Sequence, residues 1–438
     1  MRPFGGQRAL RSPTIVGVIA GLVTAFSSFA VLFVVGLLPS QFVWGLFGSG
    51  GHGVVGVAQA ALAPFNGGIY ASWREGPAAD PNVGSLTFSR ATVARWGAVV
   101  LLFVILSLVG LAVRRRFPDS LRRRCLALLA ATLTVAVVTA LWAKLLHFNT
   151  PATGPPGGGS GYYTSAAHHY HGPASYFVSA LVLTLLLSVF AFDIAGLLRA
   201  PLASALRRAG ALVGIAFLCF GLLFPVLVIS DRLPTAHGGE DFMQAAAYSS
   251  AVGGFAIPLA LQATVSVTQN AHSPWLNSNS PAGRFPVHWR NLAMATTVDH
   301  PQGRLFRYAA SLGVWGSLVG ATISALVLAA LAFATVGLCH RLRVLGWRRC
   351  LGLGLLQGAC VALLVAASAV VTTQSYRLGG QMWDLWRTTP LGLVHTAVIL
   401  IAFCAAVGVV YSVIQGRRAS TNAREDSAGE TTSPAQPR

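Results

Sequence analysis

Few side chains in this sequence have the type and spacing to do chemistry, and they fall into three groups. The first is a pair of similar segments, Q-A-A-L-A-P-F-N-G-G-I from Gln59 and Q-A-A-A-Y-S-S-A-V-G-G-F from Gln244. Gln59 and Gln244 can each donate and accept hydrogen bonds. Gly67, Gly68, Gly253 and Gly254 can take backbone conformations closed to other residues and allow close approach of a ligand or a second backbone. Paired around a repeat axis, these six residues would line a pore or substrate vestibule. The plainer alternative is that the glycines end two helices. The second group is Asp193 alone, the one acid within a long apolar run. An ionisable group at membrane depth is costly and is a functional candidate by default. Arg199 follows closely, so a local ion pair or cap competes with a proton or ion site. The third is His168, His169 and His171, in the segment T-G-P-P-G-G-G-S-G-Y-Y-T-S-A-A-H-H-Y-H. Imidazole nitrogens bind Zn, Cu or Ni, so these form a weak candidate metal site set against a solvated, low-complexity loop.

Other chemistries lack their residues. The glycine-rich G-P-P-G-G-G-S-G has no lysine, as a phosphate-cradling loop requires. There is no G-x-S-x-G elbow and no H-E-x-x-H helix. The six cysteines (Cys125, Cys219, Cys339, Cys350, Cys360, Cys404) all fall in apolar runs or at their arginine-flanked ends. That placement argues against a disulfide framework and against four-cysteine zinc. No catalytic residue is assigned and no cofactor is implied.

The elements that must position these residues are membrane spans. The chain has 438 residues, 54% of them hydrophobic and only 10% charged. A soluble protein carries about 25% charged residues, so most of this surface must meet something other than water. A bilayer core about 30 Å thick needs roughly 20 apolar residues per helix. Eight runs qualify: Thr14–Leu38, Trp96–Val113, Cys125–Ala143, Ser175–Leu198, Ala209–Ser230, Ser311–Leu338, Leu351–Thr372 and Pro390–Ile414. Backbone groups in lipid must satisfy one another, so the spans are expected to be helices and the fold an all-α polytopic membrane protein.

The net charge is +19. A basic balance often points to nucleic acid, but here the cations adjoin apolar runs, and the bilayer is the expected partner. Lys144 is the only lysine; the other 30 basic residues are arginines. Twenty of these arginines fall before the first span, between the second and third, after the fourth, after the sixth, and in the tail. The opposite loops are longer yet hold ten arginines and Lys144. By the positive-inside rule both termini are expected in the cytoplasm, and the plasma membrane is the expected location. Trp96, Trp142 and Trp315 fall at outer span ends and Trp347 at an inner one, as interfacial anchors would.

The spans divide into two sets of four, residues 1–208 and 209–416. Each set opens with GxxxG (Gly17/Gly21 and Gly210/Gly214), continues with a long outer segment, then a span beginning Trp-Gly (Trp96-Gly97 and Trp315-Gly316), then an arginine-rich inner loop. An even number of spans per set makes this a parallel pseudo-repeat about an axis along the membrane normal. The two outer apolar segments, Phe42–Tyr70 and Phe242–Val267, are broken by glycines and contain Pro64 or Pro258. Making either one a span would invert every later arginine loop, so each is expected to be re-entrant or interfacial. Residues 417–438 are polar and expected to be a disordered cytoplasmic tail.

Eight spans, a lone lysine, arginine-flanked inner loops and long outer segments bearing Q-A-A…G-G together resemble the streptophobe family of hydrophobic multi-spanning membrane proteins of streptomycetes. The resemblance covers most of the chain in overall character. It implies an actinobacterial host and a membrane location, and no activity. The residues themselves favour a transport- or channel-like protein, because a parallel repeat carries two broken segments on one face. The alternative is a non-catalytic scaffold or sensor that contacts an envelope or cytoplasmic partner. An intramembrane enzyme is the third reading.

Overall fold

The computed structural model describes residues 12–38, 46–47, 58–77, 85–92, 94–150, 162–164, 167–232, 238–261, 263, 265–269, 283–287, 313–344, 346–378 and 381–430. Nine long helices are present among them: α1 (Pro13–Gly36), α2 (Trp96–Arg116), α3 (Leu121–Leu145), α4 (Pro173–Ala191), α5 (Ala200–Arg232), α6 (Gly238–Ala260), α7 (Gly313–Arg341), α8 (Trp347–Thr372) and α9 (Pro390–Glu430). Eight of them, all but α6, are long and apolar enough to cross a membrane. The chain is therefore an integral, multi-pass membrane protein of the all-α polytopic class. Its exposed surface is dense with large apolar side chains, among them Leu108, Phe333, Leu363 and Val398. Such a surface requires lipid around it.

Between the helix ends lies an element the hydropathy pattern did not announce. Nine strands form one antiparallel sheet: β1 (Gly68–Pro77), β2 (Ser85–Thr92), β3 (His147–Thr150), β4 (Tyr162–Thr164), β5 (Ala167–His171), β6 (Val265–Gln269), β7 (Gly283–Val287), β8 (Gln374–Leu378) and β9 (Gln381–Thr388). Their order is β3-β5-β1-β2-β8-β9-β6-β7, with β4 also paired to β1. Several strands are direct continuations of spans. α3 ends at Leu145 and β3 starts at His147; β5 ends at His171 and α4 starts at Pro173; α8 ends at Thr372 and β8 starts at Gln374; β9 ends at Thr388 and α9 starts at Pro390. The sheet thus stands on one end of the bundle, and the arginine-rich loops lie at the other.

The two halves follow one order of parts. In the first, the strands run β3-β5-β1-β2; in the second, β8-β9-β6-β7. In each set, the strand after the third span pairs with the strand before the fourth. The halves meet where β2 pairs β8. Helix neighbours correspond as well: α1 packs on α3 as α5 packs on α8, and α3 on α4 as α8 on α9. The two GxxxG motifs do not correspond in packing. A Cβ at Gly17 would stand 2.3 Å from the Ala127 carbonyl oxygen, and one at Gly21 2.6 Å from that of Ala131. Those glycines let α1 and α3 approach backbone to backbone. A Cβ at Gly214 would meet nothing within 4 Å.

Three boundaries differ most from the sequence expectations. α4 stops at Ala191 instead of reaching Leu198, because Asp193 takes a left-handed conformation (φ 52°) and Ile194 N–H closes onto the Val189 carbonyl at 3.1 Å. That pairing is a Schellman end, and Asp is among the few non-glycine residues that tolerate it. α5 begins at Ala200, ahead of Ala209. The tail expected to be disordered instead continues α9 to Glu430, and only residues 431–438 lie outside the described set. Extending an existing helix costs far less than nucleating one, so the Ala-, Arg- and Glu-containing tail follows the span.

Of the two broken outer segments, the second forms α6. From Ser249 to Leu261 it is buried, and it runs back along α5 until the Ala260 carbonyl accepts from Ser324 Oγ (2.6 Å) on α7. Protein surrounds it, as a broken apolar segment requires. The first segment is described at Leu46–Phe47 and from residue 58, where Ala60–Phe65 is buried. Trp142 Nε1 donates to the Ala58 carbonyl (3.1 Å) and Arg95 N–H to that of Ala63 (2.7 Å).

Candidate functional site

The sheet has two unlike faces, set by strand alternation. One face carries Ala71, His171, Gln374, Trp386 and Thr388, all buried. It rests on the helix ends: Trp386 stacks on Phe255 of α6 (6.5 Å), and His171 lies against Tyr176 of α4 (5.6 Å). At the seam between halves, Gln374 Nε2 donates to Ser250 Oγ (2.6 Å) and to the Ala94 carbonyl (3.2 Å), and Ser250 Oγ donates to the same carbonyl (2.5 Å). Trp96 Nε1 donates to the Phe217 carbonyl (3.1 Å), and Asn66 Nδ2 to that of Thr373. Buried polar groups with partners fix one arrangement of the two halves.

The other face is open. A single row crosses five strands in register: His147, Tyr170, Tyr70, Arg90 and Arg377. His168 sits beside it on the same face. These planar groups stack in sequence. His147 lies on His168 (6.1 Å), His168 on Tyr170 (6.4 Å), Tyr170 on Tyr70 (5.1 Å, 9° between planes), and the Arg90 guanidinium over the Tyr70 ring (5.5 Å). A Cβ at Gly68 or Gly172 would lie within 3 Å of the Tyr70 ring, so two glycines make its seat. The membrane-near end of the face is tied across the halves by Thr92 Oγ1 and Ser375 Oγ (2.9 Å).

The sequence-derived candidates distribute as follows. Gln59 is half-buried in the turn beneath the sheet. Gly67 packs against the Tyr176 ring, Gly253 against Phe217 and Gly254 against Thr372; with Gly68, all four glycines are buried and face protein atoms. Gln244 lies on α6, and its side chain is outside the described set. Asp193 stands in the turn after α4, at the arginine end, and pairs with Arg207 (2.8 Å). Its carbonyl also accepts from Arg124 Nη1 (3.4 Å), while Arg124 Nε donates to the Phe117 carbonyl (2.6 Å) and Nη2 to that of Pro118. The buried Arg124 thus staples two loops.

The three histidines do not converge on a metal. Alternation along β5 sends His168 to the open face and His169 and His171 to the other. Among the described residues no group of three His, Cys, Asp or Glu side chains is arranged to hold an ion. Burial lowers the pKa of His171 and of His169, and for His169 the neighbouring His168 lowers it further. His171 Nδ1 meets the Leu146 carbonyl at 3.3 Å.

The row of His147, Tyr170, Tyr70, Arg90 and Arg377 was missed. Its signal was present: I-Y-A-S-W-R and S-L-T-F-S-R are rich in aromatic and β-forming residues and flank A-A-D-P-N-V-G, which reads as a turn.

A second polar feature lies within the helices. Thr24 and Ser28 of α1, Thr132 and Thr139 of α3, and Thr184 and Ser188 of α4 are buried, and among the described residues their hydroxyls have no hydrogen-bond partner. At 1.5 Å rise per residue they fall at heights of about 5 to 27 Å from the arginine end. In the second half, Thr335, Thr372 and Thr396 bond back to the preceding turn. Gln357 of α8 is fully buried with neither amide atom partnered among the described residues.

No family model, no curated protein and no solved structure matches this chain.

Proposed function

We propose that this is a membrane-anchored binding protein, a scaffold or sensor whose helical base holds the sheet up to an envelope partner. One observation carries the reading: a sheet built from both halves is covered by helices on one face and leaves an ordered row of stacked aromatic and cationic groups on the other. Such pre-ordered groups lose little conformational entropy on binding. A photo-crosslinking side chain at Phe88, 54% exposed on the open face, should capture a discrete component in intact cells. One at lipid-facing Val398 should not. Matching patterns from the two positions would end the reading.

The same proposal puts the sheet outside and both termini in the cytoplasm, supported by the alternation of arginine-rich loops. A cysteine replacing the exposed Asn149 should react with an impermeant maleimide in intact cells. We also propose that the halves arose by tandem duplication, supported by the matching strand orders, and that the chain is a streptophobe, supported by the sequence features above.

Small-solute transport is the second reading, favoured by the six unpartnered hydroxyls and Gln357. Buried polar groups without partners in a membrane interior call for water or a solute. Proteoliposome flux that disappears in a Thr24→Val, Thr132→Val, Thr184→Val variant would support it; flux equal to empty liposomes would reject it.

A further inference from the structure

We propose that the open face binds a linear, ring-poor phosphodiester polymer of the cell envelope, with Arg90 and Arg377 as its anion clamp. The inference rests on the reading of the sheet as a binding surface.

Arg90 and Arg377 are direct cross-strand partners at the junction of β2 and β8. Both are exposed. Like charges opposite one another in an antiparallel pair are destabilising, since their Cβ atoms stand about 5 Å apart. No Asp or Glu occupies an open-face position on the five strands of the row. The ion pair Asp193–Arg207 stands at the opposite end of the bundle. The Arg90 guanidinium leans over the Tyr70 ring (5.5 Å); a phosphate seated over the β2–β8 junction would draw charge-assisted contacts from both arginines and offset their repulsion.

The rest of the row narrows the ligand. Its rings are stacked on one another, so their faces are already engaged. What remains for a ligand is their polar edges: imidazole N–H, phenol O–H and guanidinium N–H groups, spread across five strands, about 19 Å. That is a comb of donors for successive anionic oxygens. Single-stranded nucleic acid binds through base stacking on a succession of free aromatic faces; within the row those faces are engaged, and Phe88 beside it offers a single one. A lipid headgroup is disfavoured by reach. Arg377 lies five positions beyond the end of α8, and Arg90 six positions before the start of α2. That is about 17–20 Å of extended chain, beyond a headgroup layer of about 5–8 Å. This distance applies at the arginine clamp, whereas His147 at the row's other end lies two positions past α3.

The test uses the full chain in nanodiscs of neutral phosphatidylcholine and fluorescent poly(glycerol phosphate) as the probe. Binding is expected, and it should weaken with salt. Arg90→Gln and Arg377→Gln should each reduce affinity about tenfold or more, the loss expected for one charge-assisted hydrogen bond. Tyr70→Phe with Tyr170→Phe keeps the stack, removes two donors and should also weaken binding. Unchanged affinity in both arginine variants would overturn the proposal. Equal affinity for an oligonucleotide of the same charge would reassign the face to nucleic acid. Loss of polymer binding in phosphatidylglycerol discs would reassign it to lipid. Absent polymer binding alongside intact crosslinking from Phe88 would defeat this ligand alone; absence of both would defeat the binding surface itself.

Discussion

Replacing Gly21 by alanine should destabilise the protein, whereas the same change at Gly214 should not, although each residue is the second glycine of a GxxxG motif. The difference comes from what each glycine faces. At Gly21 a methyl group would lie 2.6 Å from the Ala131 carbonyl oxygen and 2.7 Å from Thr134 Cβ, where ordinary contact begins at 3.4 Å. Relief requires α1 and α3 to separate by nearly 1 Å along their tightest seam. A gap of 0.5–1 Å forfeits about a quarter to a half of the dispersion attraction between the surfaces that part. Overpacking of this kind costs about 1–3 kcal/mol. At Gly214 the methyl meets open space, and alanine gains up to about 1 kcal/mol of helix propensity. The two variants should therefore shift stability in opposite directions, by a total of about 1–4 kcal/mol. Reversible unfolding in mixed micelles, followed by tryptophan fluorescence, reads this directly. A Gly214→Ala variant as destabilised as Gly21→Ala, or a neutral Gly21→Ala, would refute the seam.

Three further outcomes follow from the structure. Arg124→Met removes the donor for three carbonyls at the loop between α2 and α3 and the end of α4, and should cost about 2–4 kcal/mol in the same assay; Arg207→Ala, which breaks a half-exposed pair, should cost about 1 kcal/mol or less. His171 is held neutral by burial, so its folded pKa lies below the unfolded value of 6.5 and the unfolded chain binds more protons over that interval. Stability of the sheet should therefore be full above pH 6.5 and decline as pH falls below it, read as faster amide exchange in β5 that His171→Gln flattens. Gln357→Leu removes a buried, unpartnered amide and should stabilise the second half by about 1–3 kcal/mol; loss of stability instead would reveal a partner for that group.

The open face was hidden from the sequence by register. Arg90 and Arg377 are separated by most of the chain and become partners only because β2 pairs β8. Nothing local to S-L-T-F-S-R-A-T or Q-S-Y-R-L encodes that pairing, since strand partners are chosen by tertiary assembly. The histidines show the converse. Three imidazoles within four residues suggest convergence, but a period of two along β5 divides them between faces. The glutamine–glycine segments were recognisable as paired features. Their glycines proved to be seats for Tyr70, Tyr176, Phe217 and Thr372, a role that depends on neighbours far along the chain.

The sequence by itself determined that eight helices cross a membrane and which of their ends carry the arginines. Both follow from quantities local to each segment: an apolar length matched to the bilayer, and a backbone that lipid forces into helix. Tertiary structure alone decided that the polar connections would join into one sheet, that the Ser249–Ala260 part of α6 would be buried against α5 and α8, and that Gly17 and Gly21 would form a helix seam while Gly214 faced open space. Those outcomes depend on which surfaces meet, and contact between distant segments leaves no periodicity in either segment alone.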